Sequence, residues 1–164
     1  TSGRASDYFG PDTPRSVLLN PRALDRLRAG SAVEVLLDAD MPHAYNYTPD
    51  VARGLAELGT RPEALGKAFH LPTTWTGTSR ELVVRFAAAL GQTGKVRVIP
   101  RWAVSAFGLV SSDMRALREM LYQWDRPFVL DDRRFCTTFG IEPTPIDEAI
   151  RATLGLDGAV RAAI

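Results

Sequence analysis

Amphipathic runs introduced by a capping residue and a proline punctuate the chain. Asn20-Pro21, Thr48-Pro49 and Thr144-Pro145 each put a side-chain acceptor at a candidate N-cap and Pro at the first helical position. The apolar spacing that follows predicts helices running to about Gly30, Gly59 and Leu154, the first two stopped by a glycine able to turn left-handed. A fourth helix opens at Thr78-Ser79-Arg80-Glu81, a capping-box spacing, and runs through LVVRFAAAL to Gly91. A fifth, over 113–124, sets Met114, Leu117, Met120 and Leu121 on one face.

Between the helices lie short β-rich runs at 32–37, 44–47, 67–71, 96–99 and 128–130, and residues 1–5 read as a strand that breaks into a loop at RASDYFGP. Strands alternate with helices, which predicts an α/β fold. The runs are too short and too interrupted for five or six buried parallel strands of their own. The pattern is that of a few strands completing a larger sheet, plus a mostly helical lobe. No repeat, low-complexity tract or linker is visible, and the tail after Leu154 is expected to fray.

Composition narrows the class without changing this picture. A length of 164 residues, 45% apolar and 24% charged, is that of a globular domain with a core. No apolar run reaches the ~18 residues of a membrane helix, and the first residues show no signal-peptide pattern. Basic and acidic residues interleave to a net charge of +1, so no nucleic-acid footprint is present. Cys136 is the only cysteine, which rules out an internal disulfide and fits a reducing cytoplasm.

A self-sufficient active site is not visible. No glycine-rich turn of the dinucleotide or P-loop kind follows a strand. Tyr8, Tyr45, Tyr47 and Tyr122 are followed four residues later by Asp12, Pro49, Val51 and Arg126, never by Lys. Ser6, Asp7 and His43 have no nucleophile-elbow sequence behind them. Asp38, Asp40 and His43 form D-x-D-x-x-H, but DADMPH is also what a polar turn between strands looks like, and that reading is preferred to a metal site. His70 reads as a partly buried strand residue, and Trp75, Trp102 and Trp124 as residues that pack the core or an interface. Arg133 and Arg134 read as a solvated face. Arg126, after a helix end and before Pro127, is placed for a loop to aim at an anion.

The order of segments is more specific than any one of them. RASDYFGP, a helix ending in Ala-Gly, VLLDADMPHAYNYTPDVARGL, EALGKAFHLP, the TSRELV helix start, VRVIPRW, WDRPFVLDDRRF and FGIEPTPIDEAIRATL together resemble the C-terminal half of extended short-chain dehydrogenase/reductases, the NAD-dependent epimerase/dehydratase family. The resemblance covers nearly the whole chain. It implies a late core strand and substrate loop over 1–11, then a substrate-binding lobe with returning strands over 12–164. It also implies that the Rossmann glycine motif and the catalytic Tyr-x-x-x-Lys pair lie in a half that precedes Thr1, so no catalytic residue is expected here.

By the same resemblance, Ala5 and Ser6 match strand-end positions that face the nicotinamide of NAD or NADP. Asp7 matches a position whose side chain reaches the substrate, and Tyr8 and Phe9 match positions that line the pocket, unless one of the two plugs the loop against the lobe. Asp50 matches the family's Asp ahead of a Val-Ala helix start, where a carboxylate is favoured structurally. Arg126 matches an Arg that holds the diphosphate of nucleotide-sugar substrates. His43 stands where a second such Arg is usual and is counted with Asp7, Tyr8 and Arg126 as a substrate-binding position; the change to His, and the lack of a polar Asn pair in PRSVLLN, point to a smaller or less anionic substrate. The expected function is the substrate-binding half of an NAD(P)-dependent oxidoreductase or epimerase, inactive alone and completed by its missing half or a partner chain; a homodimer is the other candidate assembly. The alternative is a non-catalytic remnant that binds a metabolite or a partner.

Overall fold

The computed structural model describes residues 1–107 and 112–156. The strands are β1 (Ser2–Arg4), β2 (Asp7–Phe9), β3 (Val33–Leu36), β4 (Tyr45–Tyr47), β5 (Ala68–His70) and β6 (Val96–Ile99). The helices are α1 (Pro21–Arg28), α2 (Thr48–Thr60), α3 (Ser79–Ala89), α4 (Arg101–Phe107), α5 (Ser112–Met120), α6 (Arg133–Phe139) and α7 (Ile146–Leu154). Single 3-10 turns occupy Pro62–Ala64 and Leu121–Gln123. Among the described residues every strand pairing is parallel and two-stranded: β1 with β5, β2 with β4, β3 with β6. The chain divides into two compact units, one of residues 1–24, 44–76 and the described residues from 129 on, the other of residues 25–43 and 77–128.

In the first unit, α2 covers β1 closely. A Cβ on Gly3 would stand 3.0 Å from Leu55 Cδ2, 3.1 Å from Leu58 Cδ1 and 3.2 Å from Leu71 Cδ2, so only glycine lets the helix approach this strand unhindered. Leu58, Ala64, Phe69, Leu71, Phe135 and Phe139 form the core there. Its three phenylalanines meet at tilted or edge-on angles with centroids 4.8–6.2 Å apart, the geometry aromatic quadrupoles favour. Each such side chain contributes about 1.5–3 kcal/mol by leaving water.

Parallel geometry fixes which way β1 faces. Ser2 N donates to Lys67 O and Leu71 N donates to Arg4 O, so Ser2 and Arg4 turn their backbone groups to β5. Alternate residues of a parallel ladder use opposite edges, so Gly3 presents its N–H and C=O outward. Ser2, Arg4 and Ala68 are exposed on the side away from α2. An all-parallel sheet is ordinarily covered on both faces, and this pair is covered on one.

In the second unit, Val104, Leu121 and Trp124 form the core, with Leu36, Leu37, Ile99 and Leu117 packed on it. The fifth predicted helix is observed as α5 continued by a 3-10 turn. Leu121 is buried and Leu117 packs on the core, but Met120 is exposed, and the side chain of Met114 lies outside the described residues. The expected fraying after Leu154 likewise falls largely beyond what is described, from residue 157.

Four local expectations need correction. The α2 helix passes through Gly59 and ends because Arg61 precedes Pro62 and takes an extended conformation at φ −100°, ψ 121°. Thr48 does not cap it; its Oγ1 donates to Phe9 O at 2.9 Å. Nor does Thr144 cap α7, because its hydroxyl and amide are both committed to Asp50. The run at 128–130 forms no strand, only one parallel bridge between Phe128 and His43, with Pro127 before it and two aspartates after. The other caps hold: Asn20 Oδ1 accepts from Ala23 N at 3.1 Å, Gly30 ends α1 at φ 63°, and Thr78 and Glu81 form a reciprocal capping box.

Candidate functional site

The strand expected at 1–5 ends at Arg4, and the following residues are not all loop. Asp7–Phe9 is a second strand, pairing parallel with β4, so the break is confined to Ala5 and Ser6. The C-terminal ends of parallel strands are where α/β proteins place ligands, and here a buried polar cluster organises them. Asn46, fully buried on β4, accepts from Ser6 N at 2.8 Å and donates to Pro72 O at 2.7 Å and Leu71 O at 3.3 Å. Thr73 Oγ1 donates to Leu71 O, and Thr73 N donates to the Asp132 carboxylate at 2.7 Å. One amide thus ties the β1–β2 junction to the end of β5.

Ser6 Oγ is buried and has no hydrogen-bond partner among the described residues. A buried hydroxyl without a partner is costly, which marks this strand end among the polar positions of the first unit. Ala5 beside it is exposed. Asp7 is half-buried, Tyr8 is 38% exposed, and Phe9 is fully buried against Tyr47 with ring centroids 5.8 Å apart. Phe9 is therefore the plug of this segment and Tyr8 its outward aromatic.

Asp50 sits at the start of α2, wholly buried. Its oxygens accept from Thr144 N and Thr144 Oγ1 at 2.7 Å each, from Thr74 Oγ1 at 3.4 Å and from the Arg53 guanidinium. A buried carboxylate saturated in this way holds structure together.

His43 belongs to the second unit and is 2% exposed. Its ring stacks on Trp124 with centroids 5.7 Å apart and 8° between planes, tilts against Phe128 at 5.5 Å, and brings Nδ1 to 3.2 Å from Gln123 O. The other members of D-x-D-x-x-H turn to different partners. Asp38 Oδ1 accepts from Asp40 N at 2.8 Å, closing a local turn, and Asp40 takes the Arg80 guanidinium bidentately at 2.7 and 2.9 Å. Among the described residues no group of three or more His, Cys, Asp or Glu is placed to hold a metal.

Arg126 lies on the chain just beyond this histidine stack. Its Nε donates to Asp125 Oδ1 at 2.9 Å, while Arg101, first residue of α4, donates to Asp125 Oδ2 at 2.5 Å. Both guanidinium groups are largely exposed. The Arg126 hydrogen bond and charge, with help from Arg101, hold the Asp125 carboxyl below its ordinary range. Trp102, next to Arg101, is 74% exposed. Sequence reasoning did not single out Arg101, since the ion pair that joins 101 to 125 leaves no trace in spacing; of the core or interface packing expected of Trp102, its exposure excludes the core.

Of the remaining expectations, His70 Nδ1 approaches Asp131 O at 2.9 Å, and Trp124 packs the core. Arg133 is exposed and pairs with Asp131, whose carboxyl it holds at about 2. Arg134 is less idle than a solvated face suggests: its guanidinium lies 4.8 Å over the Phe69 ring. Burial pushes the Cys136 thiol up to about 11, with nearby Asp132 adding to it, so it is no thiolate nucleophile. No helix is long and apolar enough to cross a membrane among the described residues.

The sequence matches no protein-family model and no curated protein. Its structure is similar to solved epimerases and dehydratases. The human epimerase family protein SDR39U1 (isoform 2), solved with NADPH, matches with a TM-score of 0.67 and 17% identity over 93% of this chain and 47% of that one. The Thermus thermophilus UDP-glucose 4-epimerase, solved with NAD, matches at 0.62 and 19% over 97% of this chain and 47% of that one. The dTDP-glucose 4,6-dehydratase of Bacillus anthracis, solved with NAD, matches at 0.65 and 14% over 93% of this chain and 42% of that one. The chain spans less than half the length of each. The chain shares the Rossmann-type α/β fold of these epimerases and dehydratases.

Proposed function

We propose that this chain is the substrate-binding half of an NAD(P)-dependent oxidoreductase or epimerase, acting on a nucleotide-sugar or another hydroxylated or carbonyl metabolite and inactive alone. The observation that carries the reading is the strand end at Ala5-Ser6-Asp7-Tyr8, built on a fold shared with epimerases and dehydratases about twice as long. Unpartnered Ser6 Oγ suits one edge of a polar ligand there. The residues present fit only one side of a nicotinamide cofactor: Ala5 and Ser6 would face it, and the glycine-rich phosphate turn is not in this sequence. When bound, the cofactor supplies hydride chemistry. The chain's own part is to bind and orient ligand: within the first unit, Asp7 and Tyr8 at the strand end are the candidate substrate contacts, and within the second unit, taken by itself, Arg126 is the candidate contact for an anionic group. His43, buried beneath the segment that carries Arg126, contributes by fixing that segment.

The outward edge of β1 supports completion by a further α/β portion adding a parallel strand at Gly3, from the same polypeptide or from a partner. The same open edge also favours the second reading, a non-catalytic module that engages a partner. Isothermal titration of the 164-residue chain with NADH and NADPH separates proposal from failure. No stoichiometric binding is expected from the chain alone, and stoichiometric binding would overturn the half-enzyme reading. A reading frame continuous with Thr1 that encodes a glycine-rich strand-turn-helix and Tyr-x-x-x-Lys decides for the enzyme over the partner-binding module. Placement in the cytoplasm is part of this proposal and rests on the lone, reduced Cys136.

A further inference from the structure

We propose that Asn46 is a positioning residue for the strand end formed by residues 5–8: its side-chain amide, and not a strand ladder, holds Ser6 in place and so fixes how Ala5, Asp7 and Tyr8 are presented. That this strand end meets a ligand rests on the reading above; the hydrogen bonds that hold it do not.

The segment needs such a hold because it changes partner in mid-course. Up to Arg4 the chain lies along β5, and from Asp7 it lies along β4. Ala5 and Ser6 fall between the two ladders. The end of β5 has a matching gap. Leu71 N closes the ladder on Arg4 O, and Pro72 has no N–H to continue it. An N–H on one side and carbonyl oxygens on the other are left without a ladder partner, and inside a protein such groups have to be satisfied.

Asn46 supplies both complements from one planar group. It stands in register opposite Tyr8, yet takes the Ser6 N–H on Oδ1 at 2.8 Å. Its Nδ2 donates to Pro72 O at 2.7 Å and to Leu71 O at 3.3 Å. The amide can face only one way, since its oxygen must meet an N–H and its nitrogen must meet carbonyls. Asn is a poor strand residue and a costly one to bury. Here it is wholly buried in the middle of a three-residue strand, where an apolar β-branched side chain would suit better if Ser6 needed no partner.

A second bond steadies the arrangement. Thr73 N, next after Pro72, donates to the Asp132 carboxylate at 2.7 Å, so the residue ahead of α6 anchors the carbonyl side. All of these residues lie in the first unit. Ser6 is thus held by its backbone, while Ala5 before it and Tyr8 beyond it stay exposed. The Ser6 hydroxyl, without a partner among the described residues, takes no part in the hold.

Nuclear magnetic resonance of the isotope-labelled 164-residue chain tests this. In the parent, a scalar coupling across the hydrogen bond should link Ser6 N to Asn46 Cγ, and its absence overturns the proposal. Asn46→Leu keeps the shape and removes the amide. Protection of the residue-6 amide against exchange should then fall roughly tenfold more than that of Ile150 in α7, with the resonances of Ala5, Asp7 and Tyr8 displaced. In Ser6→Ala the residue-6 amide should keep its protection. If Asn46→Leu lowers protection at residue 6 and at Ile150 equally and leaves the resonances of residues 5–8 in place, Asn46 serves stability alone and the positioning role falls. If Ser6→Ala loosens residue 6 as much as Asn46→Leu does, the hydroxyl holds it and the proposal falls as well. Should Asn46→Leu not fold, Asn46→Ser gives the same comparison, since its short hydroxyl cannot span from Ser6 to Pro72. The half-enzyme reading, tested by cofactor titration, is judged separately.

Discussion

Asp50 and Thr144 are 94 residues apart in sequence and joined by two hydrogen bonds of 2.7 Å, from the threonine amide and from its hydroxyl, onto a carboxylate with no solvent exposure. That pair fastens the segment leading into α7 to the first turn of α2.

Removing the carboxylate strands buried donors that have no water to turn to. Asp50→Ala is expected to cost about 3–5 kcal/mol, and Thr144→Val about 1–2 kcal/mol because the amide bond survives. Urea midpoints at unchanged m-value measure both. Equal losses for the two variants would mean the carboxylate does no more than hold the hydroxyl.

Close approach of α2 to β1 makes Gly3 intolerant of bulk. Gly3→Val is expected to destabilise by about 1–3 kcal/mol through crowding of Leu55, Leu58 and Leu71. A double variant with Leu55→Ala should recover part of the loss, since Leu55 is the nearest of the three and is half exposed already. Thermal denaturation of the single and double variants decides it.

Two tryptophans predict opposite outcomes. Trp124→Ala removes a 3%-exposed ring from the core and the surface on which His43 stacks, for a loss of about 3–5 kcal/mol. Trp102→Ser, at 74% exposure, should stay within about 0.5 kcal/mol of the parent. A stability loss for Trp102→Ser comparable to that of Trp124→Ala would show the indole to be buried in solution.

Cys136 gives an alkaline signature. Its folded-state value, raised by burial from 9.0 to about 11, lies above the unfolded one, so its contribution is complete below pH 9 and is lost as pH rises toward 11. Cys136→Ala is expected to flatten the decline in stability between pH 9 and 11. Thiol-specific labelling of the parent at pH 8 should track global unfolding and not proceed from the native state.

What local chemistry decides was legible in the residues. Asn20, Thr78 with Glu81, and Gly30 act within one turn of themselves, and each occupies the role its neighbours imply. Thr48 and Thr144 look the same on paper but have better partners at a distance, Phe9 O and Asp50, and a long-range bond of good geometry outranks a cap. The α6 helix is written in RRFCTTF, a run rich in residues that suit strands, and exists because Phe135, Cys136 and Phe139 share one buried face. At the candidate site, Ala5, Ser6, Asp7 and Tyr8 followed from family resemblance. The unpartnered Ser6 hydroxyl, the Asn46 tie and the Arg101–Asp125 ion pair did not, since burial and partners two dozen or more residues away leave no mark on local spacing.

All three strand pairs among the described residues are parallel, and none can be closed by a turn. Each must wait until the chain has looped through dozens of residues and at least one helix to bring its partner back. Loop-closure entropy is spent before those pairings return anything, which makes such a topology slow to fold. The capped helices are the segments able to form early, and the strands can only follow them. During that interval β1 carries an open edge whose glycine offers its amide to any passing strand, so the rate of assembly, as much as final stability, governs how much of this polypeptide escapes aggregation.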